Sequence, residues 1–203
     1  MQKIYSFSKL LLSTIFLLVF SAQAEVNVGE KAPDFALTDS NGVTYKLSKY
    51  LGKVVVLEWL NHDCPFVVKH YKSGNMQEIQ EKYIAKDIVW FSINSGSQKS
   101  GSFKSPEETN RLNEVHKSKA TAVLIDETGA VGKRYGAKTT PHMFIIDQSG
   151  NLRYQGAIDS KKSTNPKDIE KSENYVVKAL DAILEEKDFE PKVTKAYGCS
   201  VKY

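Results

Sequence analysis

Short, continuous apolar runs recur along this chain, separated by stretches whose apolar residues fall at helical spacing. Val54-Val55-Val56-Leu57-Glu58-Trp59-Leu60 and Ile88-Val89-Trp90-Phe91-Ser92-Ile93 show little polar/apolar alternation, so each reads as a strand covered on both faces. Ala122-Val123-Leu124-Ile125 and Met143-Phe144-Ile145-Ile146 are shorter runs of the same kind, and Asp147 to Asn151 turns the last of them into Leu152-Arg153-Tyr154-Gln155. A helix is expected from Pro65, broken at Ser73-Gly74-Asn75 and resuming through Met76, Ile79 and Tyr83. A polar one is expected over 106–117, and a last one carries Tyr175, Ala179, Leu180 and Ile183 as an apolar stripe. Strands alternating with helices imply an α/β domain, a central mixed sheet flanked by helices. Ahead of it, Phe35–Thr38 and Val43–Lys46 flank Asp39-Ser40-Asn41-Gly42, which predicts an N-terminal β-hairpin extension. Residues 96–105 read as an exposed loop, and the tail from Asp188 to Tyr203 has no period.

The two ends differ in kind from the middle. Residues 1–24 combine Lys3 and Lys9, an apolar run from Leu10 to Phe20 and a small-x-small site at Ala22-Gln23-Ala24. That is the pattern of a secretory signal peptide, and the run is short for a bilayer span. The expected organisation is a signal at 1–24, one domain over 25–187 and a tail over 188–203, exported to the periplasm or medium after cleavage following Ala24. Membrane contact is expected only if that segment stays uncleaved. A net charge of +4 spread over 203 residues gives no basis for nucleic-acid binding. With only Cys64 and Cys199, a cysteine-rich zinc site or a multi-disulfide scaffold is excluded. One disulfide, or one reactive thiol with a helper, remains.

Cys64 stands in Leu60-Asn61-His62-Asp63-Cys64-Pro65-Phe66, between a buried strand and a helix. Proline favours the first helical position, so Pro65 places Cys64 at the N-cap. The unpaired amides and dipole there favour a thiolate. The dipole contributes about 0.3–1 kcal/mol, too little to bring a thiol from about 8.5 to well below neutral. Neighbours must decide: His62 or Lys69 would help, and Asp63 would oppose. The bland alternative is a buried, inert cysteine.

From these residues the chain resembles the thioredoxin superfamily, and within it the redoxin group that includes the alkyl hydroperoxide reductase/thiol-specific antioxidant proteins. Gly29-Glu30-Lys31-Ala32-Pro33-Asp34-Phe35 is similar to the redoxin opening. Trp59-x-Asn61-x-x-Cys64-Pro65-Phe66 stands where that superfamily carries its active cysteine, and Thr140-Pro141 resembles its cis-proline element. The likeness implies a thiol oxidoreductase with Cys64 as nucleophile and Asn61 and Pro141 shaping the approach to it. It puts Glu58 in the slot of the buried acid that moves protons for the thiol. Burial raises a carboxyl's pKa, which suits that work, although an edge-facing, solvated Glu58 is the alternative.

The chain also departs from the family. Val67 occupies the second cysteine slot of a Cys-x-x-Cys motif. Leu57 and Asn61 stand where peroxiredoxins carry proline and threonine, and their arginine would fall near Pro141, leaving Arg134 or Arg153 to substitute by another route. A nucleophilic thiol needs a second thiol to resolve it, and Cys199 on a pliable tail can fold back for that. A structural Cys64–Cys199 staple, in a binding module that kept the fold, is the alternative. Copper or zinc on Cys64 with His62 and His70 is a third class, but the spacing matches no strong metal motif. The expected partners are a hydroperoxide or a protein disulfide, with an external thiol donor and no cofactor.

Overall fold

A computed structural model describes residues 25–190 and 192–203; the signal segment expected at 1–24 lies outside the described residues. In chain order the elements are β1 (Ala36–Asp39), β2 (Thr44–Lys46), β3 (Val55–Trp59), α1 (Pro65–Lys72), α2 (Asn75–Ile84), β4 (Val89–Ser95) and α3 (Pro106–His116). They continue with β5 (Ala122–Asp126), α4 (Ala130–Tyr135), β6 (Thr139–Thr140), β7 (His142–Ile146), β8 (Leu152–Gly156), α5 (Tyr175–Leu184) and β9 (Cys199–Ser200). Seven strands form one sheet in the order β2-β1-β5-β4-β3-β7-β8. β4 pairs in parallel with β3 and β5, whereas β7 runs antiparallel between β3 and β8. The expected α/β architecture is therefore what the chain adopts.

The period of two in β3 explains why its apolar residues serve both faces. Val54, Val56 and Leu60 join a core with Val67 and Tyr71 of α1, Met76, Ile79 and Tyr83 of α2, and Val176, Ala179 and Leu180 of α5. Val55, Leu57 and Trp59 join the opposite core, with Phe91, Phe144 and α4 residues Val131 and Tyr135. Glu58 shares the first face and is fully buried. The break between α1 and α2 falls at Gly74, whose φ of +84° a side chain would resist.

The expected N-terminal hairpin forms and extends the sheet, with Thr38 and Asp39 of β1 paired to Ile125 and Leu124 of β5. Three features depart from expectation. Helix α4 is too short to show a period; left-handed glycines bound it, and the Asp126 carboxylate accepts the Val131 and Gly132 amides at its start. In the 96–105 loop, Gly96 and Ser102 are buried, and the Asn94 Nδ2 donates to the Ser102 carbonyl.

The third is the tail, which is docked as a strap. The Thr194 amide donates to the Gln155 carbonyl (3.1 Å) and its hydroxyl accepts the Ala157 amide (2.8 Å). β9 pairs antiparallel with β6, the Val201 amide donates to the Lys138 carbonyl, and the Tyr203 hydroxyl donates to the Ala137 carbonyl (2.5 Å). Backbone pairing and single anchoring side chains hold it, and neither leaves a periodic signal.

Candidate active site

The end of β3 and the start of α1 are joined by a turn that brings Cys64 back over the sheet. The Asn61 carbonyl accepts the Cys64 amide (3.0 Å), and the Asn61 Oδ1 accepts the Asp63 amide (3.0 Å). Asn61 thereby builds the turn. Cys64 takes the N-cap of α1 in extended conformation, with Pro65 as first helical residue, as its sequence implies.

Two other segments meet it. The Thr140-Pro141 bond is cis, as the resemblance implies, and the Cys64 Sγ lies 2.9 Å from the Thr140 carbonyl, to which a protonated thiol donates. Thr140 pairs in turn with Cys199 across β6 and β9, and the Cys199 amide donates to the Cys64 Sγ at 3.4 Å. Both cysteines are free thiols, Cys64 buried and Cys199 partly exposed. Gly198 makes this approach possible. Its φ is +142°, and a Cβ there would stand 1.9 Å from the Thr140 carbonyl oxygen.

The two sulfurs are tuned apart. Burial opposes ionisation of Cys64. The Cys199 amide that donates to its sulfur, together with the nearby Cys199 and Thr140 side chains and the Val67 amide at the helix start, outweighs burial, and its pKa is lowered. Cys199 is pushed up to about 11, by burial first and then by the Cys64 sulfur facing it. The helpers named from sequence are engaged elsewhere. Lys69 Nζ meets Asp159 Oδ2 at 3.2 Å, and Asp63 pairs with Lys104 at 2.6 Å. His62 is buried with its ring 5.2 Å from that of His116, and burial lowers its pKa to about 4, so it is neutral near pH 7. The groups that lower the Cys64 pKa are therefore Cys199, Thr140 and Val67, in place of His62 and Lys69.

Glu58 accepts from Tyr71 Oη (3.1 Å), Trp90 Nε1 (3.0 Å), Ser92 Oγ (2.9 Å) and Gln80 Nε2 (3.4 Å). It is buried, with no cation among these partners. Burial raises its pKa despite the four donors, which excludes the edge-facing alternative. Neither sulfur is among its hydrogen-bond partners. His70 is drawn to Asn75 (2.8 Å) and towards Asp159 (3.7 Å), away from His62. Among the described residues no three His, Cys, Asp or Glu side chains are placed to share a metal ion. Arg153 pairs with Asp147 (3.3 Å), and neither it nor Arg134 is a hydrogen-bond partner of the Cys64 sulfur. Thr140 lies within the cis-proline element without a role of its own from sequence, Gly198 and Tyr197 directly precede Cys199, and Asp159 carries no sequence signal.

Comparisons with known proteins bear on the family and the fold. The model of the AhpC/TSA family matches residues 28–155. The chain is similar to thiol-disulfide oxidoreductase ResA of Geobacillus kaustophilus, 28% identical over 140 residues that cover 69% of this chain and 75% of that protein. Among solved structures, an uncharacterized conserved protein of Geobacillus kaustophilus superposes with a TM-score of 0.74 at 28% identity, covering 87% of this chain and 92% of that one. A hypothetical protein of Sinorhizobium meliloti gives 0.72 at 24% identity, covering 89% and 96%, which bears on the fold alone.

Proposed function

This chain belongs to the AhpC/TSA family as a thiol oxidoreductase, and we propose that it performs thiol–disulfide exchange on protein disulfides with Cys64 as nucleophile and Cys199 as resolving thiol. The observation that carries this reading is the Cys199 amide 3.4 Å from the Cys64 Sγ, in a strap that holds the second thiol at the first. In the first step the Cys64 thiolate attacks a substrate disulfide; the substrate S–S bond breaks, one substrate sulfur leaves as a thiolate and a mixed disulfide forms on Cys64. In the second, Cys199 loses its proton and attacks the Cys64 Sγ. The remaining substrate thiol is released, and two electrons have passed to the substrate as the Cys64–Cys199 disulfide forms. An external thiol donor returns the pair to the reduced state.

The order of the steps is supported by the causes of the two pKa shifts. Cys199 is held protonated by burial and by the facing Cys64 sulfur. Once Cys64 is in a mixed disulfide it carries no charge, and the Cys199 thiol becomes easier to ionise when it is needed. Asn61 builds the turn that presents the sulfur, cis-Pro141 fixes the Thr140 carbonyl against it, and Glu58, on the same β3 face as the residues packed around Cys64, is the buried group that holds a proton for the exchange. Export after cleavage following Ala24 is part of the proposal, supported by the composition of 1–24; it places the enzyme where disulfides persist.

A hydroperoxide is the second substrate the family suggests. Against it stand Leu57 and Asn61 in the family's proline and threonine positions and, among the described residues, no arginine hydrogen-bonded to the Cys64 sulfur. Insulin reduction with a thiol donor and consumption of hydrogen peroxide, each compared with a Cys64→Ser variant, separate the two. The proposal expects Cys64-dependent insulin reduction and peroxide turnover no faster than that of an unassisted thiol; rapid Cys64-dependent peroxide consumption without insulin reduction overturns it.

A further inference from the structure

Beside the cysteines lies a buried charged cluster that the exchange chemistry leaves unused. Lys69 of α1 and Asp159, in the segment after β8, are both buried, with Lys69 Nζ 3.2 Å from Asp159 Oδ2. The same oxygen accepts the Ser172 hydroxyl (3.3 Å) and faces His70 Nε2 at 3.7 Å. Oδ1 accepts the Lys161 amide (2.9 Å) and the hydroxyl of Tyr197. Lys69 Nζ also donates to the Lys161 carbonyl (3.4 Å). With the ammonium and the Lys161 amide holding it, the carboxylate has little freedom to turn, and one of its lone pairs is aimed at the strap.

Tyr197 stands two residues before Cys199, and the intervening Gly198 is pressed against the Thr140 carbonyl. The Tyr197 ring also packs on Phe66, two residues after Cys64, with centroids 5.6 Å apart. The junction of strap and α1 thus has two rungs, Phe66 with Tyr197 and Cys64 with Cys199, and Asp159 sets the height of the first. A buried ion pair contributes little net stability, since the desolvation of both charges offsets their attraction. What this one supplies is a fixed hydrogen-bond acceptor for the strap.

We propose that Asp159, held by Lys69, is a positioning residue for the resolving step: through the Tyr197 hydroxyl it seats the strap so that Cys199 stays within reach of a mixed disulfide on Cys64. This rests on the reading of Cys199 as the resolving thiol. The pair of thiols is converted to a disulfide efficiently because the strap holds one beside the other, an advantage of local concentration. Loss of the Tyr197 hydroxyl leaves the Phe66 contact but frees the strap in its seat.

The test uses reduced protein, glutathione disulfide as the probe, and mass-resolved acid quenching to follow two rates: formation of the Cys64–glutathione mixed disulfide, and its conversion to the Cys64–Cys199 disulfide with release of glutathione. In Tyr197→Phe the first rate should match the parent, and the second should fall about tenfold, the scale of one hydrogen bond to a charged group. An unchanged second rate overturns the inference. If both rates fall together in that variant, the same two rates in Ser172→Ala decide. That change removes a partly buried donor from the same carboxylate; slowing of the second rate alone supports the inference, and parent-like rates overturn it. Cys199→Ser separates this from the reading beneath it. If that variant releases bound glutathione as fast as the parent, Cys199 is not the resolving thiol. If it retains glutathione while Tyr197→Phe behaves as the parent, only the role of Asp159 fails.

Discussion

Cys64 and Cys199 are the same side chain in one small volume, yet their surroundings prepare them for opposite parts. Cys64 takes a helix N-cap position, receives the Cys199 amide at its sulfur and has a lowered pKa although it is buried. Cys199 sits on a two-residue strand, is less buried, and is pushed up to about 11. Exposure alone would order them the other way, because burial penalises a thiolate. The donors decide: Cys64 collects them, and Cys199 is itself one of them. A reactive thiol here is a product of how the strap docks on the helix start.

The sharpest way to break that contrast is to remove each sulfur in turn. Cys64→Ser should lower insulin reduction by more than about a thousandfold, because no other thiol is placed to open the substrate disulfide. Cys199→Ser should keep the first attack and accumulate a mixed disulfide on Cys64, visible as a mass adduct; equal loss of the first attack in both variants would erase the distinction. Gly198→Ala comes next. Its Cβ has no room at the Thr140 carbonyl, so the strap must shift, with a loss of about 1–3 kcal/mol in denaturant unfolding and slower closure of the disulfide. Unfolding curves identical to the parent would contradict the docking described here.

pH sharpens the contrast without displacing the strap. Alkylation of Cys64 should rise with pH to half its maximum below the ordinary thiol value of about 8.5, while Cys199 stays protected to higher pH. Cys199→Ala removes one donor to the Cys64 sulfur and should move that half-point upward; a downward move would show that Cys199 acts on Cys64 mainly through charge. The smallest effect is expected at Glu58. Without contact to either sulfur, Glu58→Gln should slow exchange by no more than about tenfold, below the range of a directly placed acid or base. Because the fold raises the Glu58 pKa, its contribution to stability is complete below the unfolded value of about 4.3 and is lost as pH rises through the folded value. Unfolding of Glu58→Gln as a function of pH should lack that slope.

The sheet was legible in the sequence because a strand buried on both faces reads as an almost continuous apolar run, as 54–60 and 88–93 do with Glu58 and Ser92 as their polar members. Cys64 was legible because Pro65 marks a helix start directly after such a strand, and the cis bond at Thr140-Pro141 followed from family likeness. The rest of the site was hidden for a physical reason. Tyr197, Gly198 and Asp159 act through contacts between segments far apart in the chain, and a strap held by backbone pairing has no period to read. His62 and Lys69 looked like helpers because they are near Cys64 in sequence. The fold turns one towards His116 and the other towards Asp159, and gives the sulfur to Thr140 and Cys199 instead.

The central claim is that a substrate disulfide is opened by Cys64 and released by Cys199. Reduced protein, mixed with less than one equivalent of a disulfide-linked peptide and quenched in acid at successive times, reports this directly by peptide mapping. The account predicts peptide first on Cys64 alone, then its release with growth of a Cys64–Cys199 disulfide. Peptide appearing first on Cys199, or remaining on Cys64 with Cys199 still a free thiol, would contradict it.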